Sequence, residues 1–168
     1  MKRKIELSEY IIPTDLYQHI ALHSDLDTLK TLALTNNEFL KLYQSPHFWK
    51  DKIDQDWYFV EYEGEASVNA YESILASWEE ANGMLQMKGD LHIILTSDVP
   101  SFIDLDTYSI YSIKIIHQEQ YHLIYKYFVH EDSIGILREK EVIMNKQNLL
   151  QLLTRLIYDQ HIRYYGTF

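Results

Sequence analysis

Tyr121-His122-Leu123-Ile124-Tyr125-Lys126-Tyr127-Phe128-Val129-His130 decides the fold class of this chain. Leu123, Tyr125, Tyr127 and Val129 fall on one face of an extended segment and Ile124, Lys126 and Phe128 on the other. That period of two, in β-branched and aromatic residues, predicts a strand. Tyr108–His117 has the same composition, and Ile134–Ile143 follows across the turn-like Glu131-Asp132-Ser133, so the three read as an antiparallel meander. Upstream, Leu91–Thr96 is a short apolar run that stops at Ser97-Asp98-Val99-Pro100. Downstream, the period changes. Leu149, Leu152, Leu153, Leu156 and Ile157 form a broad stripe at helical spacing within 145–161, and a stripe of that width should cover one face of the sheet.

Before Leu85 the pattern is helical. Pro13-Thr14-Asp15 opens a helix carrying Leu16 and Ile20, with a proline suited to a first turn and an acid near the positive end of the dipole. Ser24-Asp25 interrupts it with cap-type residues, and Leu26, Leu29, Leu32 and Ala33 then line one side of a second helix. Asn36-Asn37 marks the next break, before the short cluster Phe39, Leu40 and Leu42. Ser45-Pro46 starts a helix bearing Phe48, Trp49 and Ile53. A longer helix is expected over 67–82, with the stripe Val68, Tyr71, Ile74, Leu75 and Trp78, and Gly83 in the C-capping position. The chain thus reads as α+β: an N-terminal helical module over 10–57, a connecting helical region over 58–84, and a small antiparallel sheet with a C-terminal helix over 85–168. No internal repeat is present, which excludes solenoid and propeller architectures.

Between Ile12 and Ile53 the spacing becomes specific. Ile12-Pro13-x-Asp15-Leu16 is followed by Ile20, Leu29, Leu32, Phe39, Leu42 and Trp49. This pattern resembles the F-box motif, which opens with an apolar residue, proline, a free position, an acid and an aliphatic residue. The motif continues with isoleucine, paired leucines, an aromatic, a leucine and a closing tryptophan. The match covers about a quarter of the chain. Ile12 replaces the usual leucine, Thr35 stands where valine is usual, and Asn36-Asn37 replaces a small and a basic residue. These departures bear on partner affinity rather than on the fold.

The resemblance implies a function. F-box proteins bind a Skp-family adaptor through this segment, the adaptor links them to a cullin-based ubiquitin ligase, and the rest of the chain selects a protein substrate. The partner-binding residues it implies are Pro13, Leu16, Ile20, Leu29, Leu32 and Trp49. For Leu32, Phe39 and Leu42 a place in the core is the expectation from the residues themselves. A helical segment of about 45 residues is too small to hide all its apolar side chains, so a surplus must be covered by the second half or by a partner. An F-box followed by a compact, unfamiliar domain resembles the F-box-containing proteins of large DNA viruses, which would place the chain in a host cell. Two other readings stay open: a protein-binding or structural module with no ligase link, and a hydrolase-type enzyme with a histidine or carboxylate pocket.

Composition narrows these readings. The chain has 168 residues, 46% of them apolar, which suits a packed domain rather than disorder. It has no cysteine, so thiol catalysis, disulfides and cysteine-ligated metals are excluded. With 25 acidic and 15 basic residues the net charge is -10, which disfavours nucleic acid as a general partner. Residues 1–84 hold 15 acids and 7 bases, giving -8, and residues 85–168 hold 10 and 8, giving -2. Asp51 to Glu80 contains nine acids and one lysine, which reads as a solvated acidic face or a docking surface for a basic partner. Lys2-Arg3-Lys4 leads into a mixed segment, with no signal peptide readable, and no run approaches the roughly 18 apolar residues of a membrane span. An intracellular protein, cytoplasmic or nuclear, is expected, with no membrane partner.

No cofactor and no catalytic set is expected either. His19 and His23 are four apart on a helix, but no third metal ligand is identifiable. His117, His122 and His130 fall on or beside strands and could meet across a hairpin. The five glycines form no phosphate-binding loop, and no serine sits between glycines as in a nucleophile elbow.

Overall fold

The computed structural model describes residues 12–87, 91–94, 109–117, 120–131 and 134–165. The fold is α+β. Six helices are described: α1 (Thr14–His23), α2 (Leu26–Thr35), α3 (Asn37–Tyr43), α4 (Pro46–Asp56), α5 (Val68–Gln86) and α6 (Lys146–Tyr165). Four strands, β1 (Leu91–Ile94), β2 (Ser109–His117), β3 (Tyr121–Glu131) and β4 (Ile134–Met144), lie between α5 and α6. One compact unit runs to Tyr58 and takes in Tyr62–Tyr71, and the other combines Phe59–Glu61 with Glu72–Phe168. The chain passes between the units in the loop after α4 and again inside α5.

In the first unit the helix boundaries follow from local chemistry. Asp25 accepts the Thr28 N–H at 2.7 Å and starts α2. Thr28, through its N–H and its hydroxyl, holds the Asp25 carboxyl below the usual carboxylate range. Asn36 accepts from the Glu38 N–H at 2.8 Å and starts α3. Ser45 caps α4, with Pro46 in the first turn. Pro13 itself stands outside α1, in the capping position at φ -55° and ψ 140°, and makes no side-chain cap. The first-turn proline predicted from Pro13-Thr14-Asp15 is therefore one residue early. The core of this unit gathers Leu26, Leu29, Ala33, Phe39, Phe48, Trp49 and Ile53. The Trp49 indole donates to the Tyr43 carbonyl at 2.7 Å and stacks edge-on with Tyr43 and Phe48. The loop between α4 and α5 turns at Gly64, whose φ of +84° is a conformation that side chains disfavour.

In the second unit the sheet is antiparallel throughout, in the order β1-β2-β3-β4. The predicted strands 108–117, 121–130 and 134–143 form over 109–117, 121–131 and 134–144, and the apolar run 91–96 supplies the edge strand β1 over 91–94. Leu123 of β3 is in register with Ile115 of β2 and with Val142 of β4. All three lie on the covered face: Leu149, Leu152, Leu153, Leu156 and Ile157 of α6 cluster with Ile115 and Leu123, and Val142 packs against the cluster. Ala81 and Leu85 of α5 complete it. Asn145 caps α6 by accepting the Asn148 N–H at 2.8 Å. Helix α5 runs to Gln86 rather than stopping at Asn82, so Gly83 is an interior residue and not a cap. The expected turn at Ser97–Pro100, the centre of the turn at Asp132-Ser133, the basic triplet Lys2–Lys4 and the last three residues lie outside the described residues.

Candidate functional site

Helix α1 contributes one buried residue, Ala21. Leu16 and Ile20 lie on its solvent-exposed side, together with the polar Thr14, Asp15, His19 and His23. Leu16 is 45% exposed, Ile20 is 39% and Ile12 is 40%, and Pro13 is exposed beside them. Leu16 and Ile20 are one turn apart and so share a face. The exposed His19 and His23 flank that face, with ring centroids 4.5 Å apart in an edge-on arrangement. Three of the six residues that the F-box resemblance assigns to partner contact are therefore accessible, Leu16 and Ile20 on one face of α1 and Pro13 just before it. Leu29 and Trp49 lie elsewhere, each 2% exposed within the core, and Leu32 is half-buried.

Several contacts hold α1 in place. The Tyr17 ring meets Phe39 of α3 edge-on at 5.1 Å. Gln18 Nε2 donates to Asp51 of α4 at 3.4 Å. The carbonyl of Leu22, one of the four at the end of α1 that lack an intrahelical partner, accepts from Lys52 Nζ at 2.8 Å and from Gln55 Nε2 at 3.1 Å. The Ser24 hydroxyl donates to the Ile20 carbonyl at 2.7 Å, and the Ser24 N–H to that of Ala21 at 3.2 Å. The helix end is thus capped by its own successor and by two side chains of α4.

Lys52 is a buried cation, with its side chain 3% exposed. Besides Leu22 it donates to Asp56 Oδ2 at 2.8 Å, and its ammonium lies 5.5 Å from the centre of the Tyr71 ring. The Tyr71 hydroxyl donates to the same Asp56 oxygen at 2.8 Å. Burial, followed by the hydrogen bond to Asp56 and its charge, pushes the Tyr71 phenol well above its ordinary range. Sequence reasoning missed this cluster. Asp56 reads as part of a solvated acidic stretch, yet it is half-buried at the centre of the network. Asp54, Glu61, Glu63 and Glu65 of that stretch are exposed. The available signal was positional: Lys52 falls at helical spacing among Phe48, Trp49 and Ile53, all buried.

His19 and His23 meet on α1, whereas the strand histidines His122 and His130 lie far apart. His122 and His130 are eight positions apart on β3, about 26 Å along the strand. His117 of β2 is in register with Tyr121 of β3. His122 Nδ1 is instead 2.5 Å from a Glu141 oxygen on β4. Among the described residues no group of three or more histidines and carboxylates is placed to hold a metal ion. No helix among them is long and apolar enough to cross a membrane. No protein-family model matches the chain, and no curated protein or solved structure matches it.

Proposed function

We propose that this chain is a substrate-recruiting adaptor of the F-box type, which docks a Skp-family adaptor through α1 and links a protein target to a cullin-based ubiquitin ligase. One observation carries the reading: Leu16 and Ile20 of α1 and Pro13 just before it, at the positions that the motif assigns to partner contact, are exposed, as is the neighbouring Ile12. Exposed apolar side chains of that kind are the sort of anchor on which helix-mediated interfaces depend. Leu29 and Trp49 enter this reading as the core beneath the docking helices rather than as contacts. The unit of sheet and α6 is the part that selects the target, and the site of action is the cytoplasm or nucleus.

The test is co-elution of the purified chain with a Skp-family adaptor, followed by a binding titration. Leu16→Ala combined with Ile20→Ala is expected to weaken binding by about tenfold or more, since each removes an exposed anchor. Because both side chains are substantially exposed, the circular dichroism spectrum and the melting temperature should stay close to wild type. A wild-type chain that binds no Skp-family adaptor, or a double variant that binds unchanged, overturns the reading.

A further inference from the structure

We infer that Lys52 is the positioning residue of the docking helix: its buried ammonium clamps the C-terminal carbonyl of α1 to α4 and thereby fixes how Leu16 and Ile20 are presented. The inference rests on the docking reading above for its consequence, but the clamp itself stands on geometry.

A ten-residue helix with Ala21 as its one buried side chain gains little from apolar burial, which scales with the area removed from water. Tyr17 against Phe39 adds one aromatic contact. The side-chain hydrogen bonds described between α1 and another helix come from α4. Of these, Gln18 to Asp51 is long at 3.4 Å, and Gln55 to Leu22 is exposed. The Lys52 bond is short, charge-assisted and shielded from water. Its placement also matches the local field. The C-terminus of α1 is the negative end of that helix dipole, and the carboxylate of Asp25 stands at the start of α2 two residues later. A cation at this corner answers both.

The ammonium is in turn held from the far side. Asp56 lies one turn along α4, and it is fixed by the hydroxyl of Tyr71. Lysine carries three donors on a flexible stem, and here two are aimed at Leu22 and Asp56 while the charge faces the Tyr71 ring. A buried ion pair contributes weakly to stability compared with an apolar replacement, whereas it selects one arrangement among several. The selected arrangement at Lys52 is the seat of α1.

Amide hydrogen exchange on the whole chain tests the clamp. The variant is Lys52→Met with Asp56→Asn, which removes the ammonium together with the carboxylate it pairs with and keeps an acceptor for Tyr71. Amides of α1 over 18–23 should exchange about tenfold faster than in wild type, while those of α4 stay within about threefold. Affinity for a Skp-family adaptor should fall by about tenfold although no contact residue has changed. Lys52→Gln, neutral and shorter, gives the same comparison if the double variant does not fold. The chain contains no cysteine, so Lys52→Cys can be alkylated selectively with 2-bromoethylamine in denaturant and refolded, which rebuilds an ammonium at that position. That product should recover both slow exchange and affinity. Unchanged α1 exchange overturns the clamp, and so does a variant in which α1 and α4 loosen together, because Lys52 is then ordinary core. Faster α1 exchange with unchanged affinity overturns its positioning role. A wild-type chain that binds no such adaptor sinks the docking reading alone, and the exchange and rescue arms then decide the clamp by themselves.

Discussion

Tyr71 sits between two tryptophans, 5.5 Å from the Trp49 ring centre and 6.0 Å from that of Trp57, and its hydroxyl donates to Asp56. The raised phenol pKa has a defined consequence for stability. A group whose folded pKa lies above its unfolded value favours the folded state fully below the unfolded value, 10.0 here, and that contribution is lost as pH rises through the folded one. The wild-type chain should therefore lose stability steeply above about pH 10. Tyr71→Phe should remove that part of the alkaline slope and cost about 0.5–1.5 kcal/mol at neutral pH, the usual worth of one hydrogen bond. Urea titrations of both proteins between pH 8 and 11 give the comparison. Parallel stability curves for the two would mean that Tyr71 does not carry the effect.

At the scale of the element, α5 shows where local signals yield to packing. Gly83 after Asn82 reads as a C-cap, but Met84 and Leu85 continue the stripe begun by Ala81 and belong to the core beneath α6. Burying them extends the helix through a residue that disfavours it. A Cβ built on Gly83 would meet nothing within 4 Å. Gly83→Ala should therefore stabilise the protein by about 0.5–1 kcal/mol, read from the urea midpoint at unchanged slope. A lower midpoint would show that the glycine serves some role other than helix interior. The strands were legible almost to the residue, because alternation is continuous from Tyr121 and turn residues bound each run. The five apolar residues of α6 were legible for the same reason, since one stripe at one period admits one buried face. The Lys52 cluster was not. Besides Asp56, one turn along α4, its partners lie 30 residues back, at the Leu22 carbonyl, and on the following helix at Tyr71, and no spacing rule relates those two to it. In a sequence, a lysine beside aspartates reads as solvated surface. Of the contact set, the positions came from resemblance to a motif, and which of them reach solvent was decided by helix packing that the motif does not encode.

Over the whole molecule the same cluster changes the meaning of the charge count. Lys52 is the one base in the sequence between Asp51 and Glu80, which holds nine acids, and it is buried and paired with Asp56, so it leaves the exposed acids unscreened by any base within that stretch. Asp54, Glu61, Glu63, Glu65, Glu79 and Glu80 are exposed, with Asp54 facing Lys50 at 3.2 Å and Glu80 facing His161 at 3.2 Å. Glu61, Glu63 and Glu65 are crowded into one loop within a chain of net charge -10. Repulsion among such groups acts over the Debye length, about 30 Å at 0.01 M salt and about 10 Å at 0.1 M, so moderate salt should relieve it. Relief on the order of 1 kcal/mol would raise Tm by about 2–4 °C in a chain of this size. Thermal melts in 10 and 150 mM NaCl should show that rise, and Glu63→Gln combined with Glu65→Gln should flatten it by lifting the low-salt value. A Tm that falls with salt would mean that attractive pairs such as Lys50 with Asp54 outweigh the repulsion. Identical salt dependence in the double variant would place the repulsion outside this loop.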